Sequence, residues 1–505
     1  MYYPPFSTMG AAMNPITTKI GSGVPGLDDV LGGGLPRNCL YLIEGNPGVG
    51  KTTLAMQFLL EGKRRGESCL YVTLSETKSE LAAVAQSHGW NLEDIAIVEL
   101  SAIERAIGGK GPTTLFQSAE VELTQLVKLL MDEIHRVKPA RVVLDSLSEM
   151  RMLAQTPLRY RREVLRLKQQ VSELGCTVLL LDDRASAGSD VQVHSIVHGA
   201  LSLNSALLNY GVFRRSLSVT KIRGVQYREG SHDYAIEKGG LRVFARLVAA
   251  EHHTPFRRAA AASGNAQLDK LFGDGLHYGT SNLIIGPAGS GKSTLSAMFA
   301  QAGAARGERV NYYIFDENQA TLCQRTQDMK IDFAPHLQSG KLKIEQIDPA
   351  QISPGELAHR IREAVEEEKV RIVVLDSLNG YITAMPHEEF LHLHLHELLT
   401  YLNQQGVMTF MVLAQHGLVG TMGTPIDVSY LADSVIITRY FEALGSIRKA
   451  ISIIKKRSGP HEAAVRELTL TAGGIVVGPP LTDFQGVLTG VPSYLGGERG
   501  GSRSS

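Results

Sequence analysis

The sequence predicts an α/β protein made of two tandem copies of one domain, each a parallel-core sheet flanked by helices. Two observations predict this class: short apolar strands alternate with helical segments, and the same motifs recur about 235 residues further along the chain. Parallel neighbouring strands need long crossover connections, which the helical segments supply. The period is too long for a solenoid unit, so each copy is a whole domain.

In each copy the predicted elements follow one order. An apolar strand runs into a glycine-rich loop, a helix follows the loop, and further apolar strands come later. The predicted pairs are strands 40–44 and 281–285, helices 54–66 and 295–307, strands 68–74 and 310–315, strands 141–145 and 371–376, strands 176–181 and 408–413, and strands 216–220 and 450–454.

Four features recur at nearly constant spacing: a Gly-x-x-x-Leu-Asp lead-in, a glycine-rich Lys-Ser/Thr loop, a strand ending in Leu-Asp-Ser, and a Lys-x-Arg pair. Lys51 and Lys292 are 241 residues apart, and Asp145 and Asp376 are 231 apart. The repeat divides the chain into an N-terminal extension (1–13), a first domain (14–250), a linker (251–262), a second domain (263–480) and a C-terminal tail (481–505) with a disordered end.

Composition excludes several classes of protein. The 505 residues include 51 Lys and Arg and 51 Asp and Glu, so the net charge is zero, and 43% of residues are hydrophobic. This balance disfavours nucleic acid or an anionic membrane as a partner, since phosphate binders usually carry a basic excess. The four cysteines form no CxxC pair, and no apolar stretch reaches the roughly 20 residues of a membrane span. A cytoplasmic protein is predicted.

Both glycine-rich segments match the phosphate-loop pattern. Glycines let successive backbone N–H groups wrap around phosphate oxygens, and the following helix adds its positive N-terminal end. The lysines should reach the β- and γ-phosphates of ATP, and a hydroxyl should face Mg²⁺. The alternative is a tight strand–helix turn with a stray lysine. The predicted nucleotide-binding residues are Gly45, Gly48, Gly50, Lys51, Thr52, Thr53, Gly286, Gly289, Gly291, Lys292, Ser293 and Thr294.

Carboxylates at strand ends are candidates for metal binding and catalysis. Asp145 and Asp376 end buried strands and should hold the water shell of Mg²⁺, with Thr52 and Ser293 as its hydroxyl ligands; the alternative is an Asp that caps a turn. Hydrolysis needs a group that orients or deprotonates water. The candidates follow the strand after each loop helix: Glu76, Asp316 and Glu317, each of which could instead be a solvated turn residue.

Lys221 and Arg223 follow one strand-like run, and Lys455 and Arg457 follow another. Residues two apart on a strand point the same way, so each pair should act as a unit. Such a pair cannot easily fold back on its own phosphate loop, but it could reach a nucleotide on a neighbouring subunit, where a basic residue supplied in trans accelerates phosphoryl transfer. The alternative is an edge strand with solvated charges.

Together the lead-ins, the two phosphate loops, the two Leu-Asp-Ser strands and the Lys-x-Arg pairs resemble the KaiC family of RecA-like ATPases, from about residue 16 to residue 477. The resemblance implies two RecA-like P-loop domains in a double-ring homohexamer, with ATP between subunits. It implies a slow ATPase in the first domain, serine/threonine autokinase and autophosphatase activity in the second, and a small partner, KaiB.

Some positions depart from the family's clock members, which have two adjacent glutamates after the second strand. Ser75-Glu76 and Asp316-Glu317 stand there. Either Glu76 acts as the catalytic carboxylate of the first domain or hydrolysis there is weak, whereas Asp316 could keep the role of base in the second. The adjacent phospho-acceptor pair of the family maps onto Ser429 and Tyr430, and Ser429 is the predicted acceptor.

The sequence is compatible with three functions: an ATPase with serine autokinase activity, a nucleotide-assembled scaffold that recruits a KaiB-like protein, and a DNA-acting ATPase. The last rests on the fold alone and is disfavoured by the neutral charge. The alternation of Leu with His392, His394 and His396 predicts one polar face, exposed or at a subunit contact, rather than a metal site. Trp90 is interpreted as a packing anchor.

Overall fold

The computed structural model describes residues 18–99, 119–154, 156–184, 191–207, 211–273, 275–383, 388–415, 428–443, 445–489 and 491–495. The chain divides into two units, Met1–Arg246 and Leu247–Ser505. Each unit contains one nine-stranded sheet with helices packed against it. The predicted fold class, two tandem α/β domains of the P-loop type, is therefore confirmed.

The elements of the first unit alternate as the sequence predicts, with helices between the strands of the parallel core. In chain order they are β1 Lys19–Ile20, α1 Leu27–Val30, β2 Leu35–Pro36, β3 Leu40–Gly45, α2 Lys51–Arg64, β4 Cys69–Thr73, α3 Lys78–His88, β5 Ile95–Glu99, α4 Ala119–Val137, β6 Arg141–Asp145, α5 Leu147–Ala154, α6 Pro157–Leu174, β7 Thr177–Asp183, α7 Val191–Ile196, β8 Gly199–Ala206, β9 Arg214–Ile222, β10 Ser231–Glu237 and β11 Gly240–Phe244.

The sheet of the first unit has the order β11-β10-β9-β8-β3-β7-β6-β4-β5. Neighbours from β8 to β5 are parallel, whereas β8, β9, β10 and β11 are antiparallel. Apolar clusters cover both faces, which explains why β6 reads as an unbroken buried run rather than an alternating one. The carboxyl ends of β3, β4, β6 and β7 consequently meet at one edge, where ligands bind in open α/β sheets.

The second unit repeats this plan. Its elements are a 3₁₀ turn at Ala249–Glu251, β12 Ala260–Ala261, α8 Ala266–Leu271, β13 Leu276–His277, β14 Ser281–Gly286, α9 Lys292–Ala305, β15 Arg309–Ile314, α10 Gln319–Gln327, α11 Ala334–Gln338, β16 Leu342–Gln346, α12 Pro354–Glu366, β17 Val370–Asp376, α13 Leu378–Thr383, α14 Glu388–Gln404, β18 Met408–Ala414, β19 Ser434–Ala443, β20 Ser446–Lys456, β21 Arg466–Thr471, β22 Gly474–Pro480, β23 Phe484–Gln485 and β24 Ser493–Tyr494. The order of its large sheet is β16-β15-β17-β18-β14-β19-β20-β21-β22.

The segments predicted to flank the domains are structured where the structure describes them. Residues 251–262, predicted as a linker, belong to the second unit, in which β12 pairs with β13. In the tail, β23 pairs with β24, and Arg439 donates two hydrogen bonds to the carbonyl of Leu488. The extension 1–13 and residues 496–505 lie outside the described residues.

Within the described part of the chain, none of the helices combines the length and the apolar character that crossing a bilayer requires.

Candidate active site

Each glycine-rich loop joins a central strand to a helix, β3 to α2 in the first unit and β14 to α9 in the second. Gly50 and Gly291 cap these helices with φ values of 95° and 100°. Gly48 and Gly289 have φ values of 82° and 73°. These left-handed conformations cost a residue with a Cβ free energy, so glycine is the residue that lets each loop turn its N–H groups inward.

Lys51, the first residue of α2, is buried with 8% of its surface exposed. Its Nζ donates to the carbonyls of Gly45 at 2.8 Å and Asn46 at 3.2 Å, and to Oδ1 of Asp183 at 2.7 Å. The ammonium group is therefore held over the loop, where a phosphate would lie.

Lys292 occupies the same place in the second unit and is 7% exposed. Its Nζ donates to the carbonyl of Pro287 at 2.7 Å. Burial lowers the pKa of Lys292 to about 8, since desolvation penalises the charged form.

The carboxylates at the ends of β6 and β17 lie beside these loops. Asp145 Oδ2 is 3.3 Å from the hydroxyl of Thr52 and accepts a 2.6 Å hydrogen bond from Tyr71. In the second unit Asp376 accepts from Ser293 at 3.0 Å and from Tyr312 at 2.7 Å.

A hydroxyl and a carboxylate in contact form a hard oxygen donor set, which suits Mg²⁺ that keeps several of its waters. Burial raises the pKa of both Asp145 and Asp376, so each carboxyl favours a cation nearby. Thr52, Ser293 and these two aspartates therefore fit a magnesium ion. The following Thr53 and Thr294 are buried in their helices.

Glu76 follows β4 and is half-buried beside the loop. Burial raises its pKa, and the negative charges of Asp145 and Glu80 add to this shift. Its Oε2 atom is buried and has no hydrogen-bond partner among the described residues. Thr73 fixes the backbone of Glu76, since its hydroxyl bonds both the N–H and the carbonyl. An unpaired carboxylate with a raised pKa is suited to accept a proton from water.

The matching acids of the second unit are engaged by neighbouring side chains. Asp316 accepts a hydrogen bond from the hydroxyl of Ser377. Glu317 Oε1 forms a 2.6 Å ion pair with Arg325 on α10. Arg325 is seven residues after the N-cap of α10, and the residue at the same place in α3 is Val84. Glu76 therefore lacks this cation.

The first Lys-x-Arg pair lies at the end of β9. Lys221 donates to the carbonyl of His194, and Arg223 donates to the carbonyl of Ser195 at 2.6 Å. Burial lowers the pKa of Lys221, and the neighbouring positive charges of Arg223 and Lys168 add to this shift.

The second pair repeats these contacts. Lys455 donates to the carbonyl of Ser429 at 2.9 Å, and Arg457 donates to that of Tyr430 at 3.1 Å and faces Asp433 at 3.5 Å. Ser429 of the second unit is therefore the structural equivalent of His194 in the first unit.

The alternative that these pairs lie on edge strands holds in part. β9 and β20 are inner strands of their sheets, but β9 pairs with β10 only at Ser216–Ser218 and β20 pairs with β21 only at Lys449–Ile451. The strand ends that carry the pairs therefore have a sheet neighbour on one side only. Lys221 lies beside Ala200 of β8, and Lys455 lies beside Val435 of β19. Ala200 in turn lies beside Leu42 of β3, and Val435 lies beside Leu283 of β14. Both leucines come three residues before the phosphate loop, or about 10 Å along the strand. Each pair therefore lies toward the opposite edge of the sheet from its own loop.

The prediction of one histidine face was wrong in its geometry. His392, His394 and His396 lie on α14, where residues two apart point to different sides. His394 Nδ1 is 2.6 Å from the hydroxyl of Tyr381, whereas His392 Nδ1 is 3.4 Å from that of the exposed Tyr430.

Trp90 packs against the first unit's core and stacks on His88 with ring centroids 4.6 Å apart, as a packing anchor would.

The first loop is braced by the antiparallel end of its sheet. The hydroxyl of Tyr234 on β10 donates to the carbonyl of Val49 at 2.7 Å. The amide of Gln57 on α2 exchanges two hydrogen bonds with the backbone of Leu241 on β11, at 2.8 and 3.0 Å. The loop is consequently supported from the late strands as well as from the parallel core.

Three kinds of site residue were missed in the sequence: Tyr71 and Tyr312 on the strand-end aspartates, Asp183 on Lys51, and Arg325 on Glu317. A signal existed for the tyrosines, because they are 241 residues apart, as the loop lysines are. Asp183 and Arg325 have no counterpart in the other copy, so the repeat could not reveal them.

Comparison with known proteins gives consistent matches. A family model described as the ATPase KaiC matches residues 20–248 and again residues 261–482. The circadian clock protein KaiC3 of Synechocystis sp. is 27% identical over 481 residues, covering 94% of this chain and 95% of the relative. The circadian clock oscillator protein KaiC of Acaryochloris marina is 25% identical over 484 residues, covering 95% and 92%.

Proposed function

Because the chain belongs to the KaiC ATPase family, we propose that it hydrolyses ATP and phosphorylates its own Ser429 as a homohexameric, signalling or clock-type ATPase. One observation carries the hydrolysis: each unit brings a buried loop lysine, a loop hydroxyl and a strand-end carboxylate together at one sheet edge. Two complete sets of phosphate-binding groups in one chain are what two ATPase sites require.

Each site's own residues divide the work. The loop N–H groups and the lysine bind and orient the phosphates, and Thr52, Ser293, Asp145 and Asp376 would hold Mg²⁺, which neutralises developing charge on the phosphates. In the first domain Glu76 takes the proton of the attacking water. In the second domain Asp316 and Glu317 are candidates for the same step on the acceptor hydroxyl.

Phosphorylation at Ser429 would use ATP bound to a neighbouring copy. Ser429 lies five residues before β19, whose first residue stands beside Asn282 at the start of β14. The six residues of β14 separate that edge from the loop by about 17–20 Å. A neighbouring subunit of a ring can present its loop to this edge. Arg223 and Arg457, with Lys221 and Lys455, would then face the neighbour's nucleotide.

The test combines ADP release with phosphopeptide mapping after incubation with Mg²⁺ and ATP. The variant K292A should lose phosphoserine at position 429 and keep first-domain hydrolysis, whereas K51A should show the converse. The variant S429A, matched by S434A in the same strand region, should remove the phosphopeptide alone. ADP release without any phosphoserine in the wild type would contradict the kinase activity.

A second candidate function is a nucleotide-assembled scaffold that recruits a KaiB-like protein. It is favoured by Ser75, which replaces a carboxylate, and by the ion pair that occupies Glu317. Mass measurement with and without a non-hydrolysable ATP analogue tests it, since a monomer under both conditions contradicts it. A DNA-acting ATPase has the weakest support, because the chain has zero net charge.

A further inference from the structure

The first phosphate loop has a neighbouring acid, Asp183 on β7, that the second loop lacks. We propose that Asp183 competes with the terminal phosphates of ATP for Lys51, so that the first site binds ATP more weakly and releases it more readily than it would without this acid. This inference rests on the proposed function, and it concerns how the two sites differ.

Asp183 is placed by the sheet. It is the last residue of β7 and stands beside Gly45, the last residue of β3 before the loop. The preceding Asp182 is buried and bonds Ser148 at 3.0 Å and also Arg151. Because successive side chains on a strand point to opposite faces, anchoring Asp182 on the α5 side directs Asp183 toward the loop.

With the contact to Asp183, all three N–H donors of the Lys51 ammonium group have an acceptor. A lysine ammonium has three N–H bonds, and Lys51 Nζ has three acceptors: the carbonyls of Gly45 and Asn46 and the carboxylate of Asp183 at 2.7 Å. A phosphate that takes Lys51 must therefore replace one of them. The carboxylate is the group that a phosphate resembles in charge, so it is the one that repulsion displaces.

The second unit provides the comparison within one chain. The residue beside Gly286 is Ala414, the last residue of β18. A methyl group offers Lys292 no counter-charge, and Lys292 Nζ donates to the carbonyl of Pro287. A phosphate arriving at this loop need not displace a carboxylate at this position, whereas at the first loop it breaks an existing ion pair.

The displaced carboxylate also stays near another negative charge. Asp145, the last residue of β6, stands beside Leu181 of β7, two residues before Asp183 on the same face of the strand. The side chain of Asp183 is 47% exposed, which lets it swing into water and screens its charge. We therefore expect about a tenfold effect on affinity, or about 1.4 kcal/mol.

The experiment measures the dissociation constant of a fluorescent, non-hydrolysable ATP analogue with Mg²⁺, one site at a time. In a K292A background, D183N should tighten binding at the first site about tenfold. In a K51A background, the matched A414D should weaken binding at the second site by a similar factor. Thermal unfolding of each variant checks that the chain remains folded, and D183S repeats the test with a smaller side chain.

The outcomes separate the two claims. Unchanged or weaker binding in both D183N and D183S, with the wild-type chain binding normally, overturns the role of Asp183 and leaves the ATPase proposal standing. Absence of binding at both wild-type sites overturns the proposed function together with this inference.

Discussion

Glu76 and Glu317 follow corresponding strands, yet their surroundings give them different chemistry. Glu76 keeps one buried oxygen without a partner among the described residues, and burial raises its pKa. Glu317 is neutralised by Arg325. At the scale of single residues, the first site is therefore the better equipped for hydrolysis, although it has one carboxylate fewer.

We expect E76Q, in a K292A background, to lower first-domain ATP hydrolysis about 10²–10⁴-fold, because a glutamine cannot accept the proton of water. The raised pKa of Glu76 adds a pH dependence. Activity needs the ionised form, so it should fall on acidification at a higher pH than the ordinary value of about 4.3 for glutamate. Steady-state ADP release measured against pH checks both; S75A, an exposed neighbour, is the control, and an unaffected E76Q would contradict the assignment.

At the second site we expect ATP affinity to fall as pH rises, the opposite direction to the activity of the first site, because of Lys292. Its pKa of about 8 means that the free protein carries a neutral amine above that pH, so ATP binding must first take up a proton. Affinity for an ATP analogue in a K51A background should be constant below about pH 7 and fall about tenfold per pH unit above about pH 8. In K292R, which stays charged, the profile should be flat. A flat wild-type profile would exclude the lowered pKa.

At the scale of elements, the helices that follow the catalytic acids differ between the copies. Both helices begin with a side-chain cap directly after the glutamate: Thr77 accepts from Glu80 N–H before α3, and Asn318 accepts from Thr321 N–H before α10. Capping fixes the first turn, and hence the glutamate before it. What distinguishes the helices is their seventh residue, which is Val84 in α3 and Arg325 in α10.

Exchanging the residues at this seventh position should exchange the properties of the sites. R325V frees the Glu317 carboxylate and should raise ATP hydrolysis at the second site several-fold. V84R should pair with Glu76 and lower hydrolysis at the first site several-fold, whereas V84M, which adds bulk without charge, should not. Single-site ADP release in the K51A and K292A backgrounds measures each effect. Hydrolysis that is unchanged in both R325V and V84R would show that the ion pair has no catalytic consequence.

Element type was predictable from local pattern, and its errors have a local cause. The run Arg141–Asp145 is wholly buried, with three apolar residues between its arginine and its aspartate, and it forms the predicted strand. The alternation of Leu and His around residues 391–396 resembles a strand, but the segment continues as the 17-residue helix α14. The partner Asp183 could not be foreseen, because its contact depends on which strand lies next to the loop. The contact of Arg325 depends on where α10 begins relative to Glu317.

At the scale of the whole molecule, the duplicated plan raises the question of which copies complete each site. The basic pairs lie toward the far edge of each sheet and bind backbone carbonyls there. If a neighbouring chain supplies them to the nucleotide, two differently inactive chains should restore each other. One chain would carry K51A and K292A, and the other R223A and R457A.

Mixing these chains in equal amounts with ATP should recover up to about a quarter of the wild-type hydrolysis rate, since half of the loops and half of the basic pairs are intact and meet at random in a ring. ADP release after mixing is the measurement, with each chain alone as the control. No recovery in mixtures that assemble to the wild-type mass would contradict action in trans.

The brace on the first phosphate loop has a consequence for the newborn chain. Val49 and Tyr234, which share a hydrogen bond, are 185 positions apart. A ribosome therefore finishes the glycine-rich motif long before it makes the strands that support it. We expect a nascent chain that ends before β10 to contain the whole motif and yet to retain no ATP. Capture of ATP by the first unit would then mark the end of its synthesis.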